Sequence, residues 1–425
     1  MLEKLKVTAL DNGIRVVSYP EQDSESVRMG IFVRVGSRNE RLCEGGVSHF
    51  IEHMLFRGTA KRTARAISEA IEGHGGDMNA WTSQDTTCFY AKVPHNKATS
   101  CFGVLGDLFY HSTFEARALE RERHVIAEEI RMYADQPDTV AQERLMAQLW
   151  EDHPLGRPIL GTMESVLAMK REQLVDYWQT NYVPSRMVFA FGGRVKHERC
   201  VAMVERLAGH LKNPANLREP EVFSRAIPMS PFSLERRVGI QQAQLAMGWR
   251  TPGWTESTRL PAVAYLSCIL GETMFSRLPQ RLRERLGLCY SVNSGVTQMF
   301  DCGALQIAAG CDPGRALKAT TAILSEVRSL IERPISAAEL RKMRNYLCGR
   351  YRLRMDAPLW GVATRILFGI EVDPEGTLAR LEGVTAADIQ REAATLLAPE
   401  NLVMAAVLPQ NTVGSTEQWM NVTNY

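Results

Sequence analysis

Two histidines lie four residues apart in the stretch VSHFIEHMLFRGT, residues 47–59, and a glutamate precedes the second one. On an α-helix this spacing places His49 and His53 about one turn apart on one face, with Glu52 beside them. A catalytic zinc ion takes three protein ligands and leaves a fourth position for water. The two imidazoles can supply two ligands, while Glu52 can take the proton of an activated water and pass it to a leaving amine. The pattern predicts a hydrolytic metal site, with two histidines at chance spacing as the alternative.

The third ligand is expected to be a carboxylate on another helix. In ALERERHVIAEEIRMYADQP, residues 118–137, an apolar stripe at helical spacing is predicted to contain Val125, Ile126, Met132 and Tyr133. Glu122 and Glu129 fall on this stripe, whereas Glu128 does not. Because a carboxylate on a buried face is costly unless it is paired or bound to metal, Glu129 is the predicted ligand and Glu122 its helper. The alternative is a partly exposed helix on which both carboxylates are solvated.

The segments around these helices alternate between strand-like and helical composition. Strands are predicted within 13–20, 28–37 and 77–94, which are rich in β-branched and aromatic residues. Helices are predicted at 62–76, 97–110, 116–134, 138–150 and 195–214, in addition to the one that carries the histidines. Ser48, directly before His49, is the predicted N-cap of that helix.

The chain of 425 residues is long enough for two domains. The stretch from 213 to 233 is rich in proline and polar residues and predicts a linker. After it, residues 242–278 repeat the order strand, turn, helix, without a histidine pair. We therefore predict an α+β fold of two similar α/β-sandwich-type domains from a duplicated unit, with domains at 1–213 and 231–425 and a linker at 214–230.

Composition and charge exclude several classes of protein. The net charge is +2, and no basic stripe interleaved with aromatic residues marks a nucleic-acid surface. The first residues, MLEKLKVTALDNG, lack the apolar core of a signal peptide, and no apolar run is long enough to span a bilayer. Nine scattered cysteines without a CxxC pair favour buried thiols in a reducing compartment. We expect a cytoplasmic protein with neither a membrane nor a nucleic-acid partner.

Three stretches, HFIEHMLFRGT, NAWTSQDTTCFYAKV and ERHVIAEEIRMYADQP, together resemble the pitrilysin/insulinase (inverzincin) family of zinc metallopeptidases. The similarity is greatest to the subgroup of the mitochondrial processing peptidase β subunit and two-domain bacterial peptidases. The resemblance implies a zinc metalloendopeptidase with one Zn²⁺ per chain, held by His49, His53 and Glu129. It makes Glu52 the general base and Glu122 the supporting glutamate, in two domains arranged as a clamshell.

The resemblance also implies residues that contact the peptide substrate. Asn79 and Ala80 would lie on an edge strand to which an extended peptide adds through backbone hydrogen bonds; the alternative for Asn79 is a turn residue. In RLRERLGLCYSV, residues 281–292, Arg283 and Tyr290 match the family's C-terminal residues that reach the substrate carbonyl. They could stabilise the oxyanion, the alternative being a solvated arginine and a packed tyrosine.

Two competing functions remain at this point. Some relatives of this family have lost the zinc residues and serve as structural or silent subunits, but here the whole set is present. The second competing function is a metal hydrolase that acts on substrates other than peptides. The edge-strand motif argues against it, because a peptide backbone makes use of such an edge. Since one chain holds half of the four-domain chamber of longer relatives, a homodimer, or a heterodimer with a related chain, is expected.

Overall fold

The computed structural model describes residues 3–223, 231–412 and 416–423. The chain divides into two compact units, each discontinuous in sequence. The N-terminal unit comprises Met1–Arg131, Arg157–Glu221 and Ala357–Val372, and the C-terminal unit comprises Met132–Gly156, Val222–Asp356 and Asp373–Tyr425. Each unit therefore includes a segment that the sequence-based boundaries assign to the other domain. Part of the predicted linker, 224–230, lies outside the described residues.

A mixed six-stranded sheet forms the centre of the N-terminal unit. Its strands are β1 (Lys6–Ala9), β2 (Arg15–Pro20), β3 (Ser26–Val33), β4 (Asp77–Thr82), β5 (Thr87–Pro94) and β6 (Met187–Gly193). They are arranged in the order β1-β2-β6-β3-β5-β4, in which only β2 and β6 run parallel. The strands predicted within 13–20, 28–37 and 77–94 are confirmed, the last as the β4–β5 hairpin, and β4 forms an edge of the sheet.

The C-terminal unit contains a mixed sheet of five strands with the same topology. The strands are β7 (Phe232–Arg237), β8 (Ala243–Pro252), β9 (Cys289–Gln298), β10 (Cys302–Cys311) and β11 (Val403–Pro409). Their order, β7-β11-β8-β10-β9, corresponds strand for strand to β2-β6-β3-β5-β4, and β7 and β11 form the parallel pair. The predicted α+β class with two similar units is confirmed.

Fifteen helices are found in the described part of the chain, and the predicted helices agree with them to within a few residues at most ends. They are α1 (Val47–Leu55), α2 (Ala64–Glu72), α3 (Ala98–His111), α4 (Ala116–Ala134), α5 (Pro137–Trp150), α6 (Met163–Ala168), α7 (Arg171–Asn181), α8 (His197–Ala208), α9 (Leu260–Leu270), α10 (Ala316–Glu332), α11 (Ala337–Arg354), α12 (Leu359–Leu367), α13 (Pro374–Gly383), α14 (Ala386–Leu396) and α15 (Thr416–Thr423). A π-helical segment, Pro279–Arg285, precedes β9. Among these helices, none is long and apolar enough to cross a membrane.

Both faces of each sheet are covered by helices. In the N-terminal unit, α1, α3 and α8 pack on one face around a core that includes Phe50, Phe89 and Phe189. The opposite face is covered by α12, which reaches this unit from late in the sequence and contacts β2, β3 and β6. All seven residues of β6 are buried as a result, as expected for a strand covered on both faces.

Close packing of α12 depends on a small residue in the sheet. The ring of Trp360 lies with its centroid 5.5 Å from that of Phe32 and 6.0 Å from that of Tyr90. A Cβ on Gly30 would meet the Trp360 ring at 2.9 Å, so this position has room only for glycine. In the C-terminal unit, α5 covers β8 and β11 in the same way. These two crossing helices explain why the units are discontinuous in sequence.

Candidate metal centre

Helix α1, which carries the histidine pair, begins directly after a glycine in the left-handed region. Gly46 has φ 86°, and a Cβ there would lie 2.3 Å from the backbone oxygen of Leu160. Glycine is therefore required by both conformation and space. The predicted N-cap, Ser48, is inside the helix, and its hydroxyl faces the Tyr177 hydroxyl at 3.2 Å. The prediction of Ser48 as the cap is wrong.

A carboxylate from an earlier segment takes the place of that cap. The N–H groups of Gly46 and Ser48 donate to the two oxygens of Glu40, at 2.8 and 2.9 Å. These are N–H groups at the start of a helix, which lack partners within the helix itself. Burial raises the pKa of Glu40 to about 8, although the two N–H groups oppose this shift. Glu40 thus fixes the position of α1 through a largely protonated carboxyl group at neutral pH.

Three side chains from α1 and α4 converge on one point. One oxygen of Glu129 lies 3.7 Å from Nε2 of His49 and 3.7 Å from Nε2 of His53. The possible ligand atoms of these three residues all lie within 4.8 Å of one another. Tetrahedral zinc with bonds of about 2.0–2.2 Å places its ligand atoms roughly 3.4 Å apart. The spacing of this cluster is therefore close to that of a zinc site.

The protonation of His49 fits a metal ligand. Its side chain is buried, and burial, followed by the nearby His53, lowers its pKa to about 3. The ring is therefore neutral at physiological pH and presents a lone pair. Its Nδ1 is buried and finds no hydrogen-bond partner among the described residues. The donor set of two imidazoles and one carboxylate is one that zinc commonly takes in catalytic sites.

Glu122 orients the second histidine. Its carboxylate is buried and lies 3.2 Å from Nδ1 of His53 and 2.8 Å from Nε of Arg57. Although burial alone would raise it, these two neighbours lower the pKa of Glu122. An ionised carboxylate only accepts, so Nδ1 of His53 carries the proton and Nε2 faces Glu129 with its lone pair. Glu122 contacts His53 without belonging to the three-residue cluster, and its supporting role stays a prediction.

The two adjacent glutamates of α4 differ as the helical spacing predicted. The Glu129 side chain is one-quarter exposed and faces the histidines, whereas Glu128 is 72% exposed and forms an ion pair with Arg131. The predicted apolar stripe is only partly correct, because Val125 and Met132 are about half exposed. The buried side of α4 is formed instead by Ala118, Leu119, Glu122, Ile126 and Ala127. Glu129 lies at the edge of that side, so it still faces the histidines although the predicted stripe is partly wrong.

Glu52 lies beside the cluster without belonging to it. Its Oε2 accepts a hydrogen bond of 2.5 Å from the hydroxyl of Thr82, the last residue of β4. Burial raises the pKa of Glu52, and the bond from Thr82 opposes that shift. A carboxylate with a raised pKa next to a metal site is suited to accept and return a proton.

The predicted substrate residues Asn79 and Ala80 lie on edge strand β4. Asn79 is exposed and pairs with Tyr90 of β5, so the alternative of a turn residue is wrong. The side-chain oxygen of Asn79 accepts the backbone N–H of Ala80 at 2.8 Å. The outer side of β4 has no neighbouring strand in the described sheet. This strand therefore offers a free edge that is linked to Glu52 through Thr82.

Arg283 and Tyr290 belong to the C-terminal unit. Arg283 lies in the π-helical segment, with its side chain about half exposed and its Nε 3.6 Å from a carboxylate oxygen of Glu284. Tyr290 is the second residue of β9 and is 79% exposed. The alternative of a packed tyrosine is therefore wrong. The role of both residues toward a substrate stays a prediction.

Sequence reasoning missed three residues that support the centre: Thr82, Arg57 and Glu40. Thr82 was within a recognised segment, but only the fold reveals that its hydroxyl meets Glu52. Arg57 lies one helical turn after His53, a spacing that could have suggested a partner for Glu122. No local sequence pattern marks Glu40, because it reaches α1 only through the path that the chain takes before Gly46.

Comparison with known proteins relates the whole chain to one family of peptidases. The family model described as "Insulinase (Peptidase family M16)" matches residues 15–163, and the one described as "Peptidase M16 inactive domain" matches residues 168–347. An uncharacterized zinc protease of Mycobacterium leprae is 35% identical over 395 residues, which cover 92% of this chain and 88% of the relative. A probable mitochondrial-processing peptidase subunit beta of Arabidopsis thaliana is 31% identical, covering 95% and 78%.

Solved structures confirm the fold. The crystal structure of a protease from Helicobacter pylori superposes with a TM-score of 0.90 at 20% identity, covering 96% of this chain and 100% of that one. A putative M16-like peptidase from Alicyclobacillus acidocaldarius gives a TM-score of 0.81 at 22% identity, covering 95% and 98%. At these identities the likeness concerns the fold alone.

Proposed function

The chain belongs to the insulinase family of peptidases, M16, and we propose that it is a zinc-dependent endopeptidase that cleaves extended peptides or unfolded protein segments. The observation that carries this proposal is the arrangement around Glu52. The carboxylate lies beside the cluster of His49, His53 and Glu129 and is hydrogen-bonded to the end of a free edge strand. A cluster suited to bind a metal, a carboxylate suited to accept a proton and a free strand edge are thus adjacent in one unit.

His49, His53 and Glu129 would hold the zinc ion. The ion would supply Lewis-acid activation of water and of the scissile carbonyl. Glu52 would accept a proton from the attacking water and deliver it to the leaving amine. Glu122 keeps His53 in the tautomer that a ligand needs. The distances among these side chains support the proposed roles.

Edge strand β4 supports a peptide as the substrate. An extended segment can pair with a free edge through main-chain hydrogen bonds, which tolerates many side chains. Asn79 and Ala80 are proposed to lie along such a segment, near the bond to be cut. The Asn79 carboxamide, which now accepts the N–H of Ala80, would exchange that bond for contacts with the substrate backbone.

Arg283 and Tyr290 are proposed to stabilise the oxyanion that forms on the scissile carbonyl. A guanidinium and a phenol are both suitable donors to a developing negative charge. Their exposure agrees with such a role, because both side chains extend from the surface of the C-terminal unit. The assignment itself comes from the family resemblance of RLRERLGLCYSV.

The assembly of the chain and its location are also proposed. We propose a homodimer or a heterodimer with a related chain; a relative named as a peptidase subunit beta is consistent with either. A cytoplasmic location is retained from the sequence. The competing function, an inactive partner subunit, is disfavoured because the described N-terminal unit contains all three ligand residues and Glu52.

One experiment tests the proposed function. Zinc content is measured on the purified wild-type chain and on Glu52→Gln, and both are assayed with an unstructured peptide with and without a chelator. We expect wild type to bind zinc and to cleave within the peptide in a chelator-sensitive manner. Glu52→Gln should keep its zinc and lose roughly 10²–10⁴-fold in cleavage rate, the magnitude of general base catalysis. If the zinc-loaded wild type cleaves no peptide, the endopeptidase function is rejected in favour of the inactive partner subunit.

A further inference from the structure

Two cysteines face each other across neighbouring strands of the C-terminal unit. Cys289 is the first residue of β9 and Cys311 is the last residue of β10, and the antiparallel register pairs them directly. Both side chains are buried in the same hydrophobic cluster, which places them on one face of the sheet. Directly opposed residues of an antiparallel pair have Cα atoms about 4.5–5.5 Å apart. That separation lies within the range of about 4.4–6.8 Å found for disulfides.

A β-bulge separates this pair from the rest of the ladder. The register passes from Gly310 opposite Ser291 to Cys311 opposite Cys289, so that Tyr290 has no partner on β10. Such an extra residue bends its strand and redirects its side chain. Tyr290 is accordingly 79% exposed, although the residue before it is buried. Any bond between Cys289 and Cys311 would close one end of this bulge.

The two thiols already interact and differ in acidity. The neighbouring Cys311 side chain lowers the pKa of Cys289, and the Cys289 side chain raises the pKa of Cys311. The thiolate is the nucleophile in thiol–disulfide exchange. Cys289 begins the edge strand β9 and is the more exposed of the two, so it is assigned as the first thiol to attack and Cys311 as the second.

We propose that Cys289 and Cys311 form a redox-active dithiol that a low-molecular-weight disulfide oxidises reversibly to a bond between β9 and β10. The Cys289 thiolate attacks one sulfur of oxidised glutathione, forms a mixed disulfide and releases one glutathione thiolate. Cys311, after losing its proton, attacks the Cys289 sulfur and releases the second. The two protein thiols lose two electrons and two protons, and one oxidised glutathione becomes two reduced molecules.

The position of Cys289 provides access for the oxidant. Strand β9 forms an edge of its sheet, and the residues that lead into it are exposed from Arg283 to Gly287. Gly287 adopts a φ of 56° in this approach. Cys289 itself is 5% exposed and Cys311 only 2%. A small opening at the start of β9 exposes the first thiol, and the second needs no solvent access.

Two other cysteines provide controls. Cys302 lies at the opposite end of β10 and is packed in a different cluster from the pair. Cys302 is thus on the same strand as Cys311 but does not lie opposite Cys289. Cys43 is the exposed one of the nine cysteines and would form adducts of its own. The test therefore uses the full chain with Cys43→Ser as its background.

The reduced protein is incubated with oxidised glutathione, its remaining thiols are alkylated, and it is digested with trypsin and chymotrypsin without reductant. Cleavage after Arg285, Tyr290 and Phe300 separates the two cysteines into the fragments 286–290 and 301–315. We expect mass spectrometry to find these fragments linked, with two thiols lost per chain and both restored by dithiothreitol.

The variants locate the bond. In Cys302→Ser the linked fragments should persist, because the bond does not use that sulfur. In Cys311→Ser they should disappear, and Cys289 should instead carry glutathione. Linked fragments that survive Cys311→Ser but not Cys302→Ser would overturn the proposal. So would a folded, glutathione-treated background protein without linked fragments. No step measures peptide cleavage, so the result is independent of the proposed function.

Discussion

The hydroxyl of Thr82 donates a hydrogen bond of 2.5 Å to Oε2 of Glu52. Thr82 ends the edge strand β4 and Glu52 lies on α1, so this bond connects the proposed substrate strand to the proposed general base. It also opposes the rise in the pKa of Glu52 that burial causes. We therefore expect Thr82 to act as a positioning residue, through its hydrogen bond to Glu52.

Replacing Thr82 with valine should impair catalysis without loss of zinc. The change keeps the shape of the side chain and removes a hydrogen bond to a charged group, which contributes roughly 1.5–3 kcal/mol. We expect kcat to fall by about 10-fold or more. Because the bond lowers the pKa of Glu52, its removal raises that pKa, and the acidic limb of the kcat/KM profile should move to higher pH.

Thr82→Ser is the matched control, since it retains the hydroxyl. It should restore both the rate and the acidic limb to near wild type. If serine and valine variants lose the same activity with unchanged pH profiles, Thr82 contributes only through packing, and the positioning role is rejected.

The adjacent glutamates Glu128 and Glu129 allow a direct test of the third ligand. Glu129→Gln should lower zinc occupancy, measured by metal analysis after gel filtration, because the 3.7 Å contacts with both histidines place its carboxylate at the centre. Glu128→Gln should retain zinc at the wild-type level, since that side chain is exposed and paired with Arg131. The opposite pattern would show that the helix presents its other carboxylate to the metal.

The raised pKa of Glu40 predicts that the free energy of unfolding depends on pH. Its pKa rises from about 4.5 to about 8 on folding, chiefly through burial. Between these values the unfolded chain has released the proton and the folded chain still holds it. The stabilisation is thus complete below pH 4.5 and is lost as the pH rises through 8, with an upper limit of about 5 kcal/mol for such a shift.

Glu40→Gln removes this titration while keeping a neutral side chain of the same shape. Urea unfolding of both proteins at several pH values between 5 and 9 should show wild type losing stability relative to the variant. A constant offset between them is also expected, because an amide nitrogen cannot accept one of the two N–H groups of α1. Parallel curves over this whole range would mean that Glu40 does not titrate as its burial indicates.

The convergence of His49, His53 and Glu129 could be predicted from sequence because it depends on spacing within two helices. His49, His53 and Glu52 are fixed by α1 alone, and Glu129 needed only the face of α4 that it shares with Glu122. The predicted apolar stripe itself was only half correct, because two of its four residues, Val125 and Met132, are about half exposed. Glu129 still lies beside both histidines, because it and Glu122, two turns apart, face the same way on any helix.

The remaining features depend on long-range packing, which local patterns do not encode. Trp360 packs against Phe32 although more than 300 residues separate them in sequence. The same holds for α5, whose sequence precedes the sheet it covers by about a hundred residues. Glu40, and not the Ser48 side chain, accepts the N–H groups at the start of α1, because the preceding loop holds its carboxylate there. Propensity favours serine at an N-cap, but the buried contact overrides it.

The last prediction concerns whether Arg283 and Tyr290 act on the zinc centre of their own chain or of a partner. A two-fold dimer would let each N-terminal unit use the C-terminal residues of the other chain. Glu52→Gln and Tyr290→Phe should each be nearly inactive. When the two variants are mixed and exchange subunits, a mixed dimer that works in trans combines intact Glu52 with intact Tyr290 at one of its two centres.

Activity should then return to a fraction of wild type that grows with the proportion of mixed dimers. That proportion is measured with two different affinity tags, which isolate the mixed species directly. Tyr290→Phe mixed with wild type serves as the control for exchange. If isolated mixed dimers remain as inactive as either parent, Arg283 and Tyr290 serve the zinc centre of their own chain, because each centre would then still lack one of the two residues.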